Sequence, residues 1–247
     1  MKALKRSLLA VAVFVGAAGL TAVQAQQGGR GQGGGFGGGP AALVKSKTVA
    51  ADVKITEEQQ TKLTDWSKEF ATKAQEMMKA GMEGVDRQDR KAWGEKMPAL
   101  QAKVSAAAYT ELATVLKPEQ VKRLKQIEVQ VAGLRAFNQA EVKSALKIGD
   151  DQLATIKDAT DGAMKEGRDL NEEYGVQGFA GRPADADKAK EFDKKRAAIT
   201  KETMTKVLAT MSADQKKAWA DLTGAPIDVS KVQAEIMGGF QRKPKDA

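Results

Sequence analysis

Four times along the chain an apolar residue, a cap position, two mostly polar residues and a glutamine follow one another, with an apolar residue four positions later. The copies are Ile55-Thr56-Glu57-Glu58-Gln59 with Leu63, Leu116-Lys117-Pro118-Glu119-Gln120 with Leu124, Ile148-Gly149-Asp150-Asp151-Gln152 with Ile156, and Met211-Ser212-Ala213-Asp214-Gln215 with Trp219. Each reads as a helix N-terminus. A Thr or Ser at the N-cap accepts from the N3 amide, and a Gln at N3 reaches back to the N-cap amide, which makes a capping box. Acidic residues in the first turn meet the positive end of the helix dipole. Pro118 is pre-set for a first turn, whereas Lys117 cannot act as a side-chain cap, so the second copy has half the box.

The spacing between copies constrains the fold further. Copies one and two start 61 residues apart and copies three and four 63 apart; the first and third are separated by 93, the second and fourth by 95. A duplication of about 94 residues, with two motifs in each half, accounts for all four intervals. The segments leading into the second and fourth copies align as well: Val104, Ala108, Tyr109, Leu112 and Leu116 correspond to Ile199, Thr203, Met204, Val207 and Met211.

Between the motifs the pattern is helical throughout. Leu63, Trp66, Phe70, Ala74 and Met77 form one stripe, and Leu124, Ile127, Val131 and Leu134 a second. Leu153, Ile156, Thr160, Ala163, Gly167 and Leu170 form a third, and Ile199, Thr203, Val207 and Met211 a fourth. Beyond about residue 48 the chain is rich in Ala, Lys, Glu, Gln, Leu and Val, which favours helix. The spacing predicts helices over 57–80, 90–114, 118–137, 150–172, 186–209 and 213–222, with polar, Gly-bearing connections around 81–89 and 174–183. One-sided stripes require the helices to pack on one another. The expected class is all-α: antiparallel helical hairpins in a curved bundle.

The N-terminus reads as an export signal. Lys2, Lys5 and Arg6 precede the apolar run Ser7–Thr21, and Val23-Gln24-Ala25 places small residues at −3 and −1 of a cleavage site after Ala25. The run is shorter than the roughly 20 residues that span a bilayer. Residues 28–39 hold nine glycines in twelve positions, the composition of a flexible coil. The expected organisation is a signal peptide (1–25), a disordered Gly-rich linker (26–47), two helical repeats (48–140 and 141–228) and a flexible basic tail (229–247). Removing three basic residues with the signal lowers the net charge from +8 to +5. The densest basic group, Lys117, Lys122, Arg123 and Lys125, alternates with Glu119 and Glu128 and reads as a solvated helix face rather than a nucleic-acid stripe.

Absent residue types exclude whole chemistries. The chain has no Cys and no His, which removes thiolate and imidazole nucleophiles, Ser-His-Asp catalysis and ordinary zinc sites. Met77, Met78, Met82 and Met97 cluster near the first long connection, yet Met77 continues a core stripe, so packing is the expected role. Asp86, Asp89, Glu172 and Glu173 lack the spacing of an oxygen-ligand loop. The residues therefore predict no enzyme, no cofactor and no metal.

The four motifs, behind a signal sequence, resemble the LTxxQ-motif family of small periplasmic proteins, the Spy- and CpxP-like group. No copy reads LTxxQ in full: ITEEQ, LKPEQ, IGDDQ and MSADQ each depart at one or two positions. The resemblance implies an all-helical, curved hairpin architecture, usually a homodimer with two motifs per subunit. It also implies envelope-stress roles, with ATP-independent chaperone activity in some members and metal-linked roles in others. The expected function is then non-enzymatic binding of unfolded envelope proteins; the alternative is an interaction protein with one specific partner. Four motifs in one chain suggest a pseudo-two-fold monomer, in which each half buries its stripe against the other.

Overall fold

Five of the helix starts among the described residues are set by short polar caps. In the computed structural model, which describes residues 39–86, 88–176 and 181–238, Ser46 Oγ accepts from Val49 N at 3.2 Å and starts a seven-residue helix. Asp89 accepts from Lys91 N and Ala92 N, and Asp185 from Asp187 N and Lys188 N, each satisfying two amides that have no partner within the helix. The resulting α-helices are α1 (Pro40–Leu43), α2 (Lys47–Val53), α3 (Glu57–Gly81), α4 (Arg90–Leu112), α5 (Pro118–Ala132), α6 (Ala140–Leu146), α7 (Asp150–Glu173), α8 (Ala186–Ala209), α9 (Ala213–Thr223) and α10 (Val229–Gly238). A 3-10 helix, Gly133–Asn138, joins α5 to α6. The described residues are all-helical and lie in the compact unit Phe36–Ala247. None of their helices is long and apolar enough to cross a membrane.

The long helices pack in pairs. α3 lies on α4, with contacts running from Trp66 and Glu111 near one end to Gly81 and Leu100 at the other. Phe70, Ala74, Val104 and Ala108 fill the seam between them. α7 lies on α8 in the same way. The short α2 and α6 sit on α5 and α9 respectively, and both end in a left-handed lysine, Lys54 (φ 58°) and Lys147 (φ 51°). These two unusual conformations stand 93 residues apart, the interval between motif copies one and three.

Two main cores follow. One gathers Leu43, Val44, Val49, Val53, Leu63, Leu112, Leu124, Ile127, Val232 and Ile236; the other gathers Val129, Phe137, Val142, Leu146, Ile156, Val207 and Met211. α5 and α9 pack together between them. Their contact is fastened by glutamines on α5: Gln126 Nε2 donates to Asp221 O at 2.9 Å, and Gln130 Nε2 donates to Thr223 O and Ala225 O. Gln130 Oε1 accepts from Ile227 N in return.

The six long spans match the periodicity to within a few residues, with one exception. The helix expected over 118–137 stops at Ala132, because Gly133 (φ 55°) takes a conformation that interrupts the helix, and Leu134 lies in the 3-10 helix that follows. Residues 40–47, assigned above to the linker, form α1 and the start of α2; residues 229–238, assigned to the tail, form α10. Leu43 and Val44, with Val232 and Ile236, are buried in the first core, and that burial holds both segments in place. The stripes are not buried across the two halves as expected; each core is assembled largely from one set of helices. The assigned signal peptide, the rest of the linker (26–38) and residues 239–247 lie outside the described residues.

Candidate functional site

The four motif glutamines meet in two pairs. Gln59 Nε2 donates to Gln120 Oε1 at 2.8 Å, and Gln120 Nε2 donates back to Gln59 Oε1 at 3.0 Å. Gln152 Nε2 donates to Gln215 Oε1 at 3.0 Å, and Gln215 Nε2 to Gln152 Oε1 at 2.8 Å. The partners are 61 and 63 residues apart, the motif spacings themselves.

Local structure brings each amide to this point. Thr56 Oγ1 accepts from Gln59 N and Gln59 Oε1 accepts from Thr56 N, a complete capping box; Ser212 and Gln215 make the same one. Gln120 Oε1 accepts from Lys117 N at 2.9 Å, and Pro118 stands at N1, the half box expected where the cap is a lysine. In the third copy the box expected of Gly149 and Gln152 is not formed: Gly149 has no side chain to contribute, and the Gln152 amide bonds to Gln215 and Thr210 O instead. The capping role read for Thr56, Gln59, Pro118, Gln120, Ser212 and Gln215 is therefore the local role they play.

The outer edge of each pair reaches neighbouring helix ends. Gln59 Nε2 also donates to Val115 O just past α4, and Gln120 Nε2 to Lys54 O at the end of α2. In the second pair Gln152 Nε2 donates to Thr210 O past α8, and Gln215 Nε2 to Leu146 O at the end of α6. One glutamine pair thus ties together two helix starts and two helix ends. Only an amide can do this, because each side chain must donate two protons and accept two while uncharged. In the first pair all of that capacity is used, and Gln120 is only 7% exposed. Such saturated, neutral groups fasten structure and offer no general acid, base or nucleophile.

Five of the remaining candidates, Asp86, Asp89, Glu173, Met77 and Met78, make local contacts. Asp86 accepts from Gln88 N, Asp89 caps α4, and Glu173 pairs with Lys195 at 2.7 Å. Met77 and Met78 pack against the seam between α3 and α4. No group of three or more acidic side chains converges on a metal-sized space among the described residues. Glu111 is held below the usual carboxylate range, first by the Lys73 ammonium and also by the Trp66 Nε1 donor at 2.8 Å; it bridges α3 to α4.

Two features had no signal in the periodicity. Phe137 stacks on Trp219 with ring centroids 4.6 Å apart inside the second core. Glu235 of α10 accepts from Ser46 Oγ, Thr48 N and Thr48 Oγ1, so the last helix caps the start of α2 from a distance of 187–189 residues along the chain. These bonds, led by that from Ser46, hold the Glu235 carboxyl below its ordinary range. Comparison with family models, curated proteins and solved structures returns no match.

Proposed function

We propose that the chain is an exported, non-enzymatic helical protein of LTxxQ type that holds unfolded or stressed envelope proteins, as a monomer built from two antiparallel-hairpin repeats. The observation that carries this reading is the duplicated glutamine pair. The two motif pairs make matching bonds to backbone positions 93–95 residues apart, Val53 O with Leu146 O and Val115 O with Thr210 O, which supports an internal duplication and a pseudo-two-fold chain. The basic-apolar-small layout of residues 1–25 supports export and cleavage after Ala25.

Client binding on this reading is weak and largely electrostatic. An open groove of about 370 Å3 between α7 and α8 supports it, with Leu170 and Ile199 inside and Glu166, Asp169, Glu173 and Lys195 around them. Delayed aggregation of a model client at stoichiometric amounts of the mature chain is the expected result. No delay at several-fold excess overturns the chaperone reading.

A second reading, an interaction protein with one specific partner, is favoured by the scarcity of apolar surface. Met164, at 50%, is the exposed large apolar side chain among the described residues, and a general binder of unfolded chains needs more. The same aggregation assay separates the two.

A further inference from the structure

α10 lies across α1, α2 and α5, and its buried Val232 and Ile236 join Leu43, Val49, Val53 and Leu124 in the first core. Ser230, Lys231 and Ala234 remain exposed, so its apolar stripe is one-sided. Glu235, three residues after Val232, accepts from Ser46 Oγ, Thr48 N and Thr48 Oγ1 beside that core. An aliphatic pair four residues apart, with an acid between, is thus held by burial and by three hydrogen bonds. That is how a groove takes an amphipathic helix.

The hold is local. A ten-residue helix is marginal by itself in water, whereas the fifteen-residue α5 buries Leu124, Ile127, Val129 and Val131 and enters both cores. The connection from α9 is pinned to α5: Gln130 holds Thr223 O, Ala225 O and Ile227 N. Asp228 Oδ1 then accepts from Lys231 N in the first turn of α10. The bonds that fasten the connection survive when α10 lifts, and the pivot falls at Asp228.

We propose that the face under α10 is a helix-binding groove with α10 as its resident ligand, displaced by a partner's amphipathic helix that carries the same aliphatic pair and intervening acid. The partner is a segment of an unfolded envelope protein, an assignment that rests on the function proposed above. Open molecules are the minority, and the apparent affinity for the partner falls by the open fraction. The groove also reconciles a binding role with Met164 as the exposed large apolar side chain among the described residues, because the binding face stays covered until it is used.

The test uses the full mature chain and a fluorescently labelled peptide of residues 226–238. Val232→Asp with Ile236→Asp in the chain keeps α10 from seating. The peptide should bind that variant about ten-fold or more tightly than the wild type, one peptide per chain. The same two substitutions in the peptide should abolish binding. Equal affinity for the two chains, or capture of the substituted peptide, overturns the groove. Hydrogen exchange of the wild type gives a second measurement that stands even where the variant fails to fold. The α10 amides should exchange ahead of those of α5, and saturating unlabelled peptide should remove their protection while α2 and α5 keep theirs. Exchange of α10 and α5 as one unit, or α10 protection unmoved by the peptide, overturns the displacement. Glu235→Gln in the peptide should weaken binding; equal binding strikes the acid from the pattern. A wild-type dimer by light scattering would make the occupant a second copy's α10 and overturn the partner assigned here. No client aggregates in these measurements, so the groove and the chaperone reading fail separately.

Discussion

In the first half of the molecule a tenth helix covers what two aromatic rings fill in the second. α2–α5 and α6–α9 carry the same glutamine bonds and the same left-handed lysines, yet Val44 and Leu124 of the first core stand where Phe137 and Trp219 stand in the second. The smaller side chains leave room that Val232 and Ile236 of α10 occupy. α10 shares a pattern with α2 and α6: Val49 and Val53, Val142 and Leu146, and Val232 and Ile236 are buried pairs four residues apart. The glutamine frame is therefore what the two sets of helices share, and the filling is what differs between them.

That contrast is most severely tested in the cores. Phe137 is fully buried and stacked, so Phe137→Ala should cost about 4 kcal/mol in denaturant unfolding. The matching Val44→Ala removes less side chain from a core that α10 also covers, and should cost roughly half as much. Equal costs would mean that the stack does not distinguish the halves.

Next come the glutamine pairs, which the two halves share. Gln120→Ala strips partners from Gln59, Lys54 O and Lys117 N at a buried point, an expected cost of about 3 kcal/mol. Gln215→Ala should cost somewhat less, about 2 kcal/mol, because its site is more exposed. Equilibrium unfolding of both variants ranks them, and a reversed order would break the comparison.

How much of this could be read from the residues depends on the range of each interaction. The caps at Thr56, Pro118 and Ser212 and the long apolar stripes act within a turn or two, so six helices could be drawn from the chain itself. α2 and α6 show only two buried apolar anchors each, too few to register as periodicity, and they owe their helical form to the cores beneath them. Gln59, Gln120 and Gln215 were legible on their Oε1 side, where one partner is three residues away. Their Nε2 side was not legible, because those partners arrive from 56 to 69 residues away.

Glu235 offers a pH test of the closure that, among the described residues, α10 makes on the first half. Its carboxyl is held below the ordinary range, so its contribution is present above about pH 4.3 and is lost as pH falls through the lower folded value. Glu235→Gln should therefore loosen α10 by about 1 kcal/mol at neutral pH and by progressively less in strong acid. Hydrogen exchange of the α2 and α10 amides, followed from neutral to acid pH, checks this. Undiminished protection in the variant at neutral pH would remove Glu235 from the closure.

The smallest effect would make the two halves more alike. Gly149 is the one motif cap without a side chain, yet its backbone (φ −81°, ψ 168°) is the extended conformation that Thr56 and Ser212 adopt at their caps. A β-carbon built there meets no atom within 4 Å, so a side chain enters without strain. In Gly149→Ser the hydroxyl can accept from Gln152 N, as Thr56 and Ser212 accept from Gln59 N and Gln215 N. The gain expected for Ser over Gly at an N-cap is a few tenths of a kcal/mol. It should appear as a small rise in the unfolding midpoint and as slower exchange confined to the first turn of α7. A loss of stability would show that Gly149 is needed for a close approach that the structure does not contain.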